Sequence, residues 1–332
     1  MDATFNALVI TENAGQYIKE VKQVYTSKLS VNELLIKVHY SSVNYKDALS
    51  SSGNKGVTKH FPHVPGIDAA GVVIESKSTL FKTGDEVIVT GYDLGMNTWG
   101  GFGEYISIPA AWAVPLPKGL SLFESMIYGT AGFTAALSVY QIVNAGITPS
   151  KGEIAVSGAT GGVGSIAVAI LNKIGFSTTA ISGKNDPDFL TETLGAKQFI
   201  SREEFINKHN GKALHTPTFA AGVDTVGGEV LSGIIKSVQY GGVVTCCGMV
   251  ASPELLTSIF PFILRGVCLT GIDSVQAPMP HRIQIWQLMA SGWKPAKLTQ
   301  LSTQITLEQL PDALNQILNG QAKGRFVLKH HV

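Results

Sequence analysis

The sequence predicts an α/β protein in which a mainly β part is joined to a parallel sheet that helices cover on both faces. Three observations predict it. Residues 1 to about 120 consist of short strand-like runs set off by glycine and proline. Residues from about 122 to 292 alternate strand-like with helix-like runs, which is typical of repeated strand–helix–strand units. Between two of these runs lies SGATGGVGS, residues 157–165, with four glycines in nine positions.

The β part consists of five apolar runs. In one of them Leu34, Ile36, Val38 and Tyr40 recur at every second position, as in a strand with one buried face. The runs are FNALVI (5–10), ELLIKVHYSSVN (33–44), AAGVVIES (69–76), DEVIVTGY (85–92) and EYISIPAAWAVPLP (104–117).

The alternating part supplies the parallel sheet. Its predicted strands are IAVSG (154–158), STTAIS (177–182), QFIS (198–201), FAAGVD (219–224), VVTCCG (243–248) and VCLTGID (267–273). Its predicted helices are GVGSIAVAILNKIG (162–175), a segment ending at LGA (194–196), VLSGIIKSVQ (230–239) and RIQIWQLMA (282–290). A helix, LEQLPDALNQIL (307–318), and a strand, GRFVLKHH (324–331), follow.

Composition and charge exclude several classes of protein. The 332 residues carry 45% hydrophobic and 15% charged side chains, which favours about two packed domains over a disordered chain. Basic and acidic residues number 25 and 24 without a basic run, so we expect no nucleic-acid or membrane partner. The start MDATFNALV does not resemble a secretory signal, and three cysteines are a poor basis for disulfides. We therefore expect a cytoplasmic location.

The glycine-rich segment predicts a phosphate site. After it, one apolar stripe marks a helix that Gly175 ends; its members are Val163, Ile166, Ala167, Ile170, Leu171 and Ile174. A helix that begins at such a turn presents backbone N–H groups and the positive end of its dipole, which suit a pyrophosphate. The dinucleotide pattern G-x-G-x-x-G reads here as Ala159-Thr160-Gly161-Gly162-Val163-Gly164, so its first glycine is replaced. We predict dinucleotide contacts at Thr160, Gly161, Gly162, Val163, Gly164 and Ser165; the alternative is a turn that only lets helix and strand pack closely.

The end of the next strand indicates which dinucleotide binds. A site for NAD usually places an acidic residue there to hold the ribose 2′-hydroxyl. Here Ser182-Gly183-Lys184 follows, and the first acid is Asp186. A hydroxyl, a glycine and a cation suit a 2′-phosphate, which a carboxylate would repel. We predict NADPH as the cofactor, with Ser182, Gly183 and Lys184 at its 2′-phosphate; the alternative is that Lys184 is a solvated surface residue.

Motifs along the whole chain resemble one family. They are VNYKDAL (43–49), PGIDAAG (65–71), GTAGFTAAL (129–137), SGATGGVGS, DTVGG (224–228), YGGVVTCCG (240–248), PFILRGVCLTGIDSV (261–275) and GRFVLK (324–329). The chain resembles the medium-chain dehydrogenase/reductase superfamily, in the quinone-oxidoreductase-like branch that includes the bacterial acrylyl-CoA reductases (the YhdH/YhfP group). The resemblance implies a GroES-like β-rich catalytic domain of residues 1–125 and 299–332 and, at residues 126–298, a Rossmann NADPH-binding domain with a doubly wound parallel sheet.

The resemblance also implies that no metal is bound. The superfamily's alcohol dehydrogenases hold zinc with a cysteine in the segment that reads Asn44-Tyr45-Lys46-Asp47 here, and with a Gly-His-Glu that reads Gly66-Ile67-Asp68 here. Asn and Ile are not zinc ligands. The four-cysteine loop of those enzymes reads GYDLGMNTWGGFGE (91–104) here. His60 and His63 lie close in sequence, and we expect them to be surface histidines.

Without zinc, the resemblance implies hydride transfer from NADPH to a conjugated C=C bond. Negative charge then develops on the carbonyl oxygen, so the protein must supply donors there. The resemblance assigns Asn44 and Asp47 as orienting polar groups and Tyr45 as a cofactor contact. For Asp47 the alternative is a charge that stabilises the N-terminus of the following helix.

Further site residues follow from the resemblance alone. Thr130, Gly248, Met249 and Ser274 are expected at the nicotinamide half, Arg202 near the adenine or its ribose, and Arg325 at the cofactor or an acyl carbonyl. A surface ion pair is the alternative for either arginine. Cys246 and Cys247 lie in an apolar strand and are expected to be buried small residues instead of nucleophiles.

The sequence thus predicts a zinc-independent, NADPH-dependent reductase of an activated C=C bond, with the conversion of acrylyl-CoA to propionyl-CoA as the named reaction. One alternative is NADPH:quinone oxidoreductase activity, and another is a non-catalytic nucleotide-binding protein. The resemblance further suggests a homodimer that pairs through VCLTGID, residues 267–273, whose low charge fits a covered sheet edge.

Overall fold

The computed structural model describes residues 3–209 and 211–331. The contacts divide the chain into two compact units. The first contains Met1–Thr130, Val275–Ala290 and Ser302–Val332, and the second contains Ala131–Ser274 and Ser291–Leu301. Val275–Ala290 therefore belongs to the first unit, whereas the sequence prediction placed it with the Rossmann domain; the predicted boundaries near 125 and 299 stay a prediction.

The described residues form strands and helices with the following bounds. The strands are β1 (Thr4–Asn13), β2 (Gln16–Tyr25), β3 (Leu34–Ser42), β4 (Asp68–Ser76), β5 (Glu86–Thr90), β6 (Tyr105–Ile108), β7 (Ala113–Pro115), β8 (Glu153–Ser157), β9 (Thr178–Ser182), β10 (Gln198–Ser201), β11 (Phe219–Asp224), β12 (Val238–Cys246), β13 (Cys268–Gly271), β14 (Ser302–Ile305) and β15 (Arg325–Lys329). The helices are α1 (Tyr45–Ser51), α2 (Leu122–Asn144), α3 (Gly162–Lys173), α4 (Arg202–His209), α5 (Gly228–Ser237), α6 (Phe260–Arg265), α7 (Met279–Ala290) and α8 (Leu310–Leu318).

The first unit is built on a mainly antiparallel sheet. Its strands run in the order β14-β15-β3-β4-β5-β7, with β6 also paired to β3. Leu34, Ile36 and Val38 of β3 are buried, as their alternation predicts. A separate hairpin joins β1 to β2. The side chains of β2 are mostly exposed. Strand β2 is not predictable from the sequence because its run QYIKEVKQVY has no continuous apolar face.

The second unit is a six-stranded sheet in the order β10-β9-β8-β11-β12-β13, and all its strand pairs are parallel. The chain reverses its direction of winding between β8 and β11, as in a doubly wound dinucleotide-binding fold. Every residue of β8 except Glu153, and every residue of β9 and β11, is buried. Such continuous burial requires helices on both faces. The predicted α/β fold class is confirmed.

Helix α2 is long and apolar, and it is broken inside. Among the described residues it is the one helix that is long and apolar enough to cross a membrane by length and composition, but 78% of its apolar window is buried inside the structure. Burial of this kind is typical of a core helix. Gly129 interrupts it with φ 49° and ψ −154°, so the helical path stops and restarts there.

Candidate active site

The first unit contains a cluster of polar side chains contributed by three strands, two helices and a residue beside them. We call it the Asn44 cluster; its members are Ser42, Asn44, Asp47, Asp68, Thr130 and Arg325. All of these except Thr130 are at most 7% exposed. Buried polar groups of this number are tolerated only when they satisfy one another's hydrogen bonds.

The amide of Asn44 is held at both ends. Its Nδ2 donates to Asp68 Oδ2 at 2.8 Å, and its Oδ1 accepts from Arg325 Nη2 at 3.0 Å. Because one partner accepts and the other donates, the amide has one orientation. The nearest acceptor among the described residues for the second Nδ2 hydrogen is the Ser42 carbonyl at 3.4 Å, a long contact. This hydrogen is therefore the one that a bound carbonyl oxygen could take.

Asp68 connects Asn44 with Thr130 in the cluster, and it was not predicted from the sequence. Besides the Asn44 amide, its carboxylate accepts from Thr130 N at 2.8 Å and from Thr130 Oγ1 at 2.5 Å. Burial raises the pKa of Asp68, while the Thr130 and Asn44 donors and the Arg325 charge lower it. A carboxylate at the start of the apolar run DAAGVV was the signal that could have identified it, since Asp is almost never fully buried without partners.

Asp47 is fully buried, and its carboxylate binds backbone. Oδ2 accepts from Asn44 N at 2.8 Å, and Oδ1 accepts from Gly66 N at 3.1 Å and Ile67 N at 2.9 Å. Burial and the neighbouring Asp68 raise the pKa of Asp47 to about 7, although the hydrogen bonds from these three donors lower it. In this structure the Asp47 carboxylate fixes the start of α1 and the 66–67 backbone. This agrees with an orienting group and with the alternative of a charge at the helix N-terminus, and its part in the chemistry stays a prediction.

Arg325 enters the cluster from β15. Nε donates to Ile127 O at 3.2 Å, and Nη2 donates to Ser42 Oγ at 2.9 Å as well as to Asn44. Ser42 Oγ in turn donates to Met126 O. The side chain is 4% exposed, so the alternative of a surface ion pair is wrong for Arg325. Burial lowers its pKa and the Asp68 and Asp47 charges raise it, and a guanidinium stays charged in proteins.

Gly129 makes room for the cluster inside α2. Its φ of 49° lies in the left-handed region, and a Cβ there would overlap Ser42 Oγ and lie 2.5 Å from Asp68 Oδ2. The break also turns the backbone so that Thr130 N reaches Asp68. The motif GTAG therefore has a local structural reason in this chain.

The positions of the zinc ligands in alcohol dehydrogenases are filled by groups that do not bind zinc. Ile67 is apolar and 4% exposed, and the Asn44 amide is bonded within the cluster. His63 is 2% exposed, with Nε2 at 2.9 Å from Gly95 O, so the expectation of a surface residue is wrong for it; burial lowers its pKa. Within residues 3–209 and 211–331, no three His, Cys, Asp or Glu side chains could hold a metal ion together.

In the second unit the glycine turn leads from β8 into α3. Gly158 has φ 59°, and a Cβ on Gly164 would overlap Gly158 O and lie 2.7 Å from Gly158 C, so strand end and helix start are packed backbone to backbone. Gly161, Gly162 and Val163 are half-buried, and no side chain within the described ranges caps the helix N-terminus. Such a start fits a pyrophosphate. Gly164 and Ser165, which are also predicted to contact the dinucleotide, are buried.

The register of β9 and β10 forms the corner where a 2′-phosphate is predicted. Ser182 pairs with Ser201, so Gly183 and Arg202 follow side by side, and a Cβ on Gly183 would lie 2.8 Å from Arg202 Nη2. Lys184 is half-buried, and burial lowers its pKa. The two cations and the bare glycine backbone fit an extra phosphate.

Ser182 ends β9, as predicted, and its side chain is buried. It is 1% exposed, and its Oγ lies 3.0 Å from Lys184 N and 3.1 Å from Thr160 Oγ1. Its hydroxyl, like that of the buried Thr160, is turned inward. In this structure the hydroxyl shapes the turn that carries Lys184, and its contact with a phosphate stays a prediction.

The remaining predicted cofactor residues lie in either unit. Tyr45 is 45% exposed and Met249 is 70% exposed, while Gly248 and Ser274 are half-buried. Cys246 and Cys247 are only partly buried, contrary to expectation. Burial and the neighbouring Asp224 raise both thiol pKa values, that of Cys247 to about 12, so both are poor nucleophiles near pH 7.

The strand order and the glycine turn define a dinucleotide-binding fold, and comparisons with known proteins identify the family. Residues 30–118 match the alcohol dehydrogenase GroES-like domain, and residues 162–291 match the zinc-binding dehydrogenase domain. A putative quinone oxidoreductase, YhfP of Bacillus subtilis, is 44% identical over 99% of this chain and 100% of its own. Its crystal structure with NAD bound has a TM-score of 0.95.

Two more relatives cover nearly the full length of the chain. The acrylyl-CoA reductase AcuI of Ruegeria pomeroyi is 41% identical over 98% of both chains. The YhdH oxidoreductase of Salmonella enterica, solved in complex with NADP, is 40% identical, with a TM-score of 0.94 over 98% of this chain and 100% of its own. The chain belongs to the medium-chain dehydrogenase/reductase superfamily, in its quinone-oxidoreductase-like group, as the motifs indicate.

Proposed function

We propose that this protein is an NADPH-dependent, zinc-independent reductase of an activated C=C bond, converting acrylyl-CoA to propionyl-CoA. The observation that carries the proposal is the Asn44 amide, which Asp68 and Arg325 fix at both ends and whose second N–H makes only a long contact, to Ser42 O, that a substrate carbonyl oxygen would replace. The relative named acrylyl-CoA reductase, 41% identical over 98% of both chains, supports the substrate.

NADPH fits the second unit. The start of α3 suits the pyrophosphate, and Gly183, Lys184 and Arg202 suit the 2′-phosphate. When bound, the cofactor would supply a hydride to the β-carbon of the conjugated double bond, and the α-carbon would then take a proton from solvent. The half-buried Gly248 and Ser274 and the exposed Tyr45 and Met249 are proposed as contacts to the rest of the cofactor.

The Asn44 cluster acts on the carbonyl. As negative charge develops on the carbonyl oxygen, the Asn44 N–H donates to it from a fixed position, which costs no reorganisation at the moment of reaction. The guanidinium of Arg325 bonds to Asn44 Oδ1 and so makes the amide N–H a stronger donor. Asp68 and Asp47 keep Asn44 in this position, because Asp68 accepts from its side-chain amide and Asp47 accepts from its backbone N–H. The carbonyl is thus polarised by an amide and a buried cation, without a metal.

A second candidate function is reduction of quinones. The relative YhfP, 44% identical over the whole chain, is named a putative quinone oxidoreductase. The same donors would then act on a ring carbonyl, and the hydride would enter the ring.

Stopped-flow absorbance at 340 nm distinguishes the candidates. We expect NADPH oxidation on adding acryloyl-CoA and little on adding 1,4-benzoquinone. The reverse result would support the quinone function. Tight NADPH binding with no turnover on either compound or on a panel of enones and aldehydes would leave a non-catalytic nucleotide-binding protein.

Lys184→Asp tests the proposed cofactor. Replacing a cation by an anion at the 2′-phosphate should raise the Kd for NADPH by roughly 10- to 100-fold and leave the Kd for NADH within about threefold. Fluorescence titration measures both. The exposed Lys151→Asp is the matched control and should change neither. Equal losses for NADPH and NADH would contradict the assignment.

We also propose a cytoplasmic homodimer. Strand β13 lies at the edge of the six-stranded sheet, and its side chains are exposed or half-buried. The segment before it carries apolar side chains that are more than half exposed: Val250, Leu256, Ile259, Ile263 and Leu264. An open edge beside exposed apolar side chains supports pairing with a second copy.

A further inference from the structure

The last residue of β11 carries a buried carboxylate whose role the proposed function leaves open. Asp224, fully buried, is the first residue of the motif DTVGG. Its Oδ1 accepts from Ser157 Oγ at 2.7 Å, and its Oδ2 accepts from Gly227 N at 2.8 Å and Val226 N at 3.3 Å. The carboxylate therefore holds its own turn and the last residue of β8 together.

The contact with β8 is reciprocal and reaches the glycine turn. Ser157 Oγ accepts from Thr225 N at 2.8 Å, and Thr225 Oγ1 donates to Ser157 O at 2.9 Å. A Cβ on Gly158 would overlap Thr225 Oγ1. The first residues of the glycine turn, Ser157 and Gly158, therefore pack directly against Asp224 and Thr225.

The same pair contacts the segment after β12. Cys247 N donates to Asp224 O at 3.1 Å, and Ala251 N donates to Val226 O at 2.8 Å. A Cβ on Gly248 would overlap Thr225 O. The backbone at Gly248 therefore packs against the turn after β11, and so does the backbone at Gly158.

Sheet register explains why this turn serves both neighbours. Val223 pairs with Val156 of β8, and Asp224 pairs with Cys246 of β12. Strand β11 lies between β8 and β12, so both of their carboxyl-end loops start level with Asp224.

We propose that Asp224, acting through Ser157 and Thr225, is a positioning residue that fixes the glycine turn and the 247–249 segment together for the dinucleotide. The inference rests on the proposed NADPH function and deepens it. Because the pair supports the pyrophosphate turn and not the corner at Lys184, its loss weakens NADPH and NADH equally. That pattern separates it from the 2′-phosphate contacts.

The test compares two buried serines of the second unit. Ser157→Ala removes the donor to Asp224 and the acceptor of Thr225 N, and should raise the Kd of both NADPH and NADH by about tenfold with their ratio unchanged. Ser237→Ala, which removes a donor to Gly233 O at 2.8 Å in α5, is the control and should lower Tm comparably without changing either Kd. Fluorescence titration and calorimetry supply the two readouts.

Thr225 provides a second pair of variants. Thr225→Val loses the hydroxyl bond to Ser157 O and should weaken both nucleotides, whereas Thr225→Ser keeps the hydroxyl and should restore binding. Amide hydrogen exchange in the apoprotein should accelerate at residues 158–164 and at 247–252 in Ser157→Ala.

Several outcomes would overturn the inference. Wild-type Kd values in Ser157→Ala, a loss of NADPH binding alone, an equal loss in Ser237→Ala, or faster exchange in only one of the two segments would each do so. If the wild-type protein bound neither nucleotide, the proposed function would fail and this inference with it.

Discussion

At the residue scale, the amide of Asn44 determines whether the proposed chemistry is possible. Asn44→Ala removes the donor to the substrate carbonyl and leaves Asp68 and Arg325 with one partner fewer. We expect kcat with acryloyl-CoA to fall by about 10²- to 10³-fold, with the Kd for NADPH within about threefold. Steady-state kinetics and fluorescence titration measure the two quantities.

The control for Asn44 is Asn97, an exposed asparagine of the same unit whose Nδ2 donates to Asp93 Oδ1 at 2.9 Å. Asn97→Ala should leave kcat unchanged. A parallel loss in kcat and NADPH affinity for Asn44→Ala would indicate misfolding and would count against a direct role at the carbonyl.

A second residue-scale prediction concerns acid stability and His330. Nε2 of this buried imidazole lies 2.8 Å from Gly101 O, and burial lowers its pKa from 6.5 to about 4. Between these two pH values the unfolded chain binds more protons than the folded one. The free energy of unfolding should therefore fall as the pH falls from 6.5 to 4, by at most about 1.4 kcal/mol per pH unit from this group.

His330→Gln isolates that contribution. The glutamine can still donate toward Gly101 but does not titrate, so this part of the pH dependence should disappear. Urea unfolding at several pH values between 4 and 6.5 measures it, with the exposed His60→Gln as control. If the free energy of unfolding of His330→Gln fell with pH as steeply as that of the wild-type protein, other groups would be the cause of the loss of stability in acid.

Site residues differ in how far the sequence could predict them. Asn44 and Arg325 were found because family motifs mark their segments. Asp68 and Ser42 were not, because their importance lies in hydrogen bonds to residues far away in sequence: Asp68 accepts from Thr130, and Ser42 accepts from Arg325. No periodicity or spacing in one segment indicates such partners.

At the scale of single elements, the break in α2 gives a prediction with a built-in comparison. Gly129 and Gly146, the latter two residues beyond the end of α2, both have positive φ, but a Cβ on Gly146 meets nothing within 4 Å. Gly146→Ala should cost about 1–2 kcal/mol of unfolding free energy from backbone strain alone. Gly129→Ala should cost roughly 2 kcal/mol more, because it also crowds Ser42 and Asp68.

Chemical denaturation measures both glycine variants. Equal losses would contradict the claim that the cluster, and not the backbone angle, requires glycine at position 129. The enzyme assay adds a second comparison, since only Gly129→Ala displaces groups that hold Asn44.

Strands and helices were predictable where most of their residues are buried, because such segments show as apolar runs in the sequence. The runs for β8, α3 and β11 are mostly apolar, and each forms close to its predicted bounds. Strand β9 is buried throughout, although three of its five residues are Thr or Ser, and it too forms close to its predicted bounds. The short helix α4 was missed because REEFINKH is mostly polar, and only Phe205 and His209 in it are buried. Arg202, its first residue, therefore came from the resemblance and not from any helix pattern.

At the scale of the whole molecule, the proposed homodimer can be tested on the apolar segment before β13. Ile263 is 63% exposed, and Ile263→Asp would place a charge there. Sedimentation should give twice 35.2 kDa for the wild-type protein and a mass approaching 35.2 kDa for the variant. The control Val31→Asp changes an 88% exposed apolar residue of the first unit and should leave the dimer intact. A monomeric wild type, or an equal effect of both variants, would refute the proposed interface.

The pairing of Ser182 with Ser201 has a consequence for how such reductases diverge. The residues that meet the proposed extra phosphate, at 183, 184 and 202, all come just after strands whose pairing does not depend on them. Exchanging them would leave the sheet, the glycine turn and the Asn44 cluster unchanged. A lineage with this scaffold could therefore switch between the two nicotinamide coenzymes in a few mutational steps while retaining its substrate, and relatives solved with NAD in one case and NADP in another are what such drift would produce.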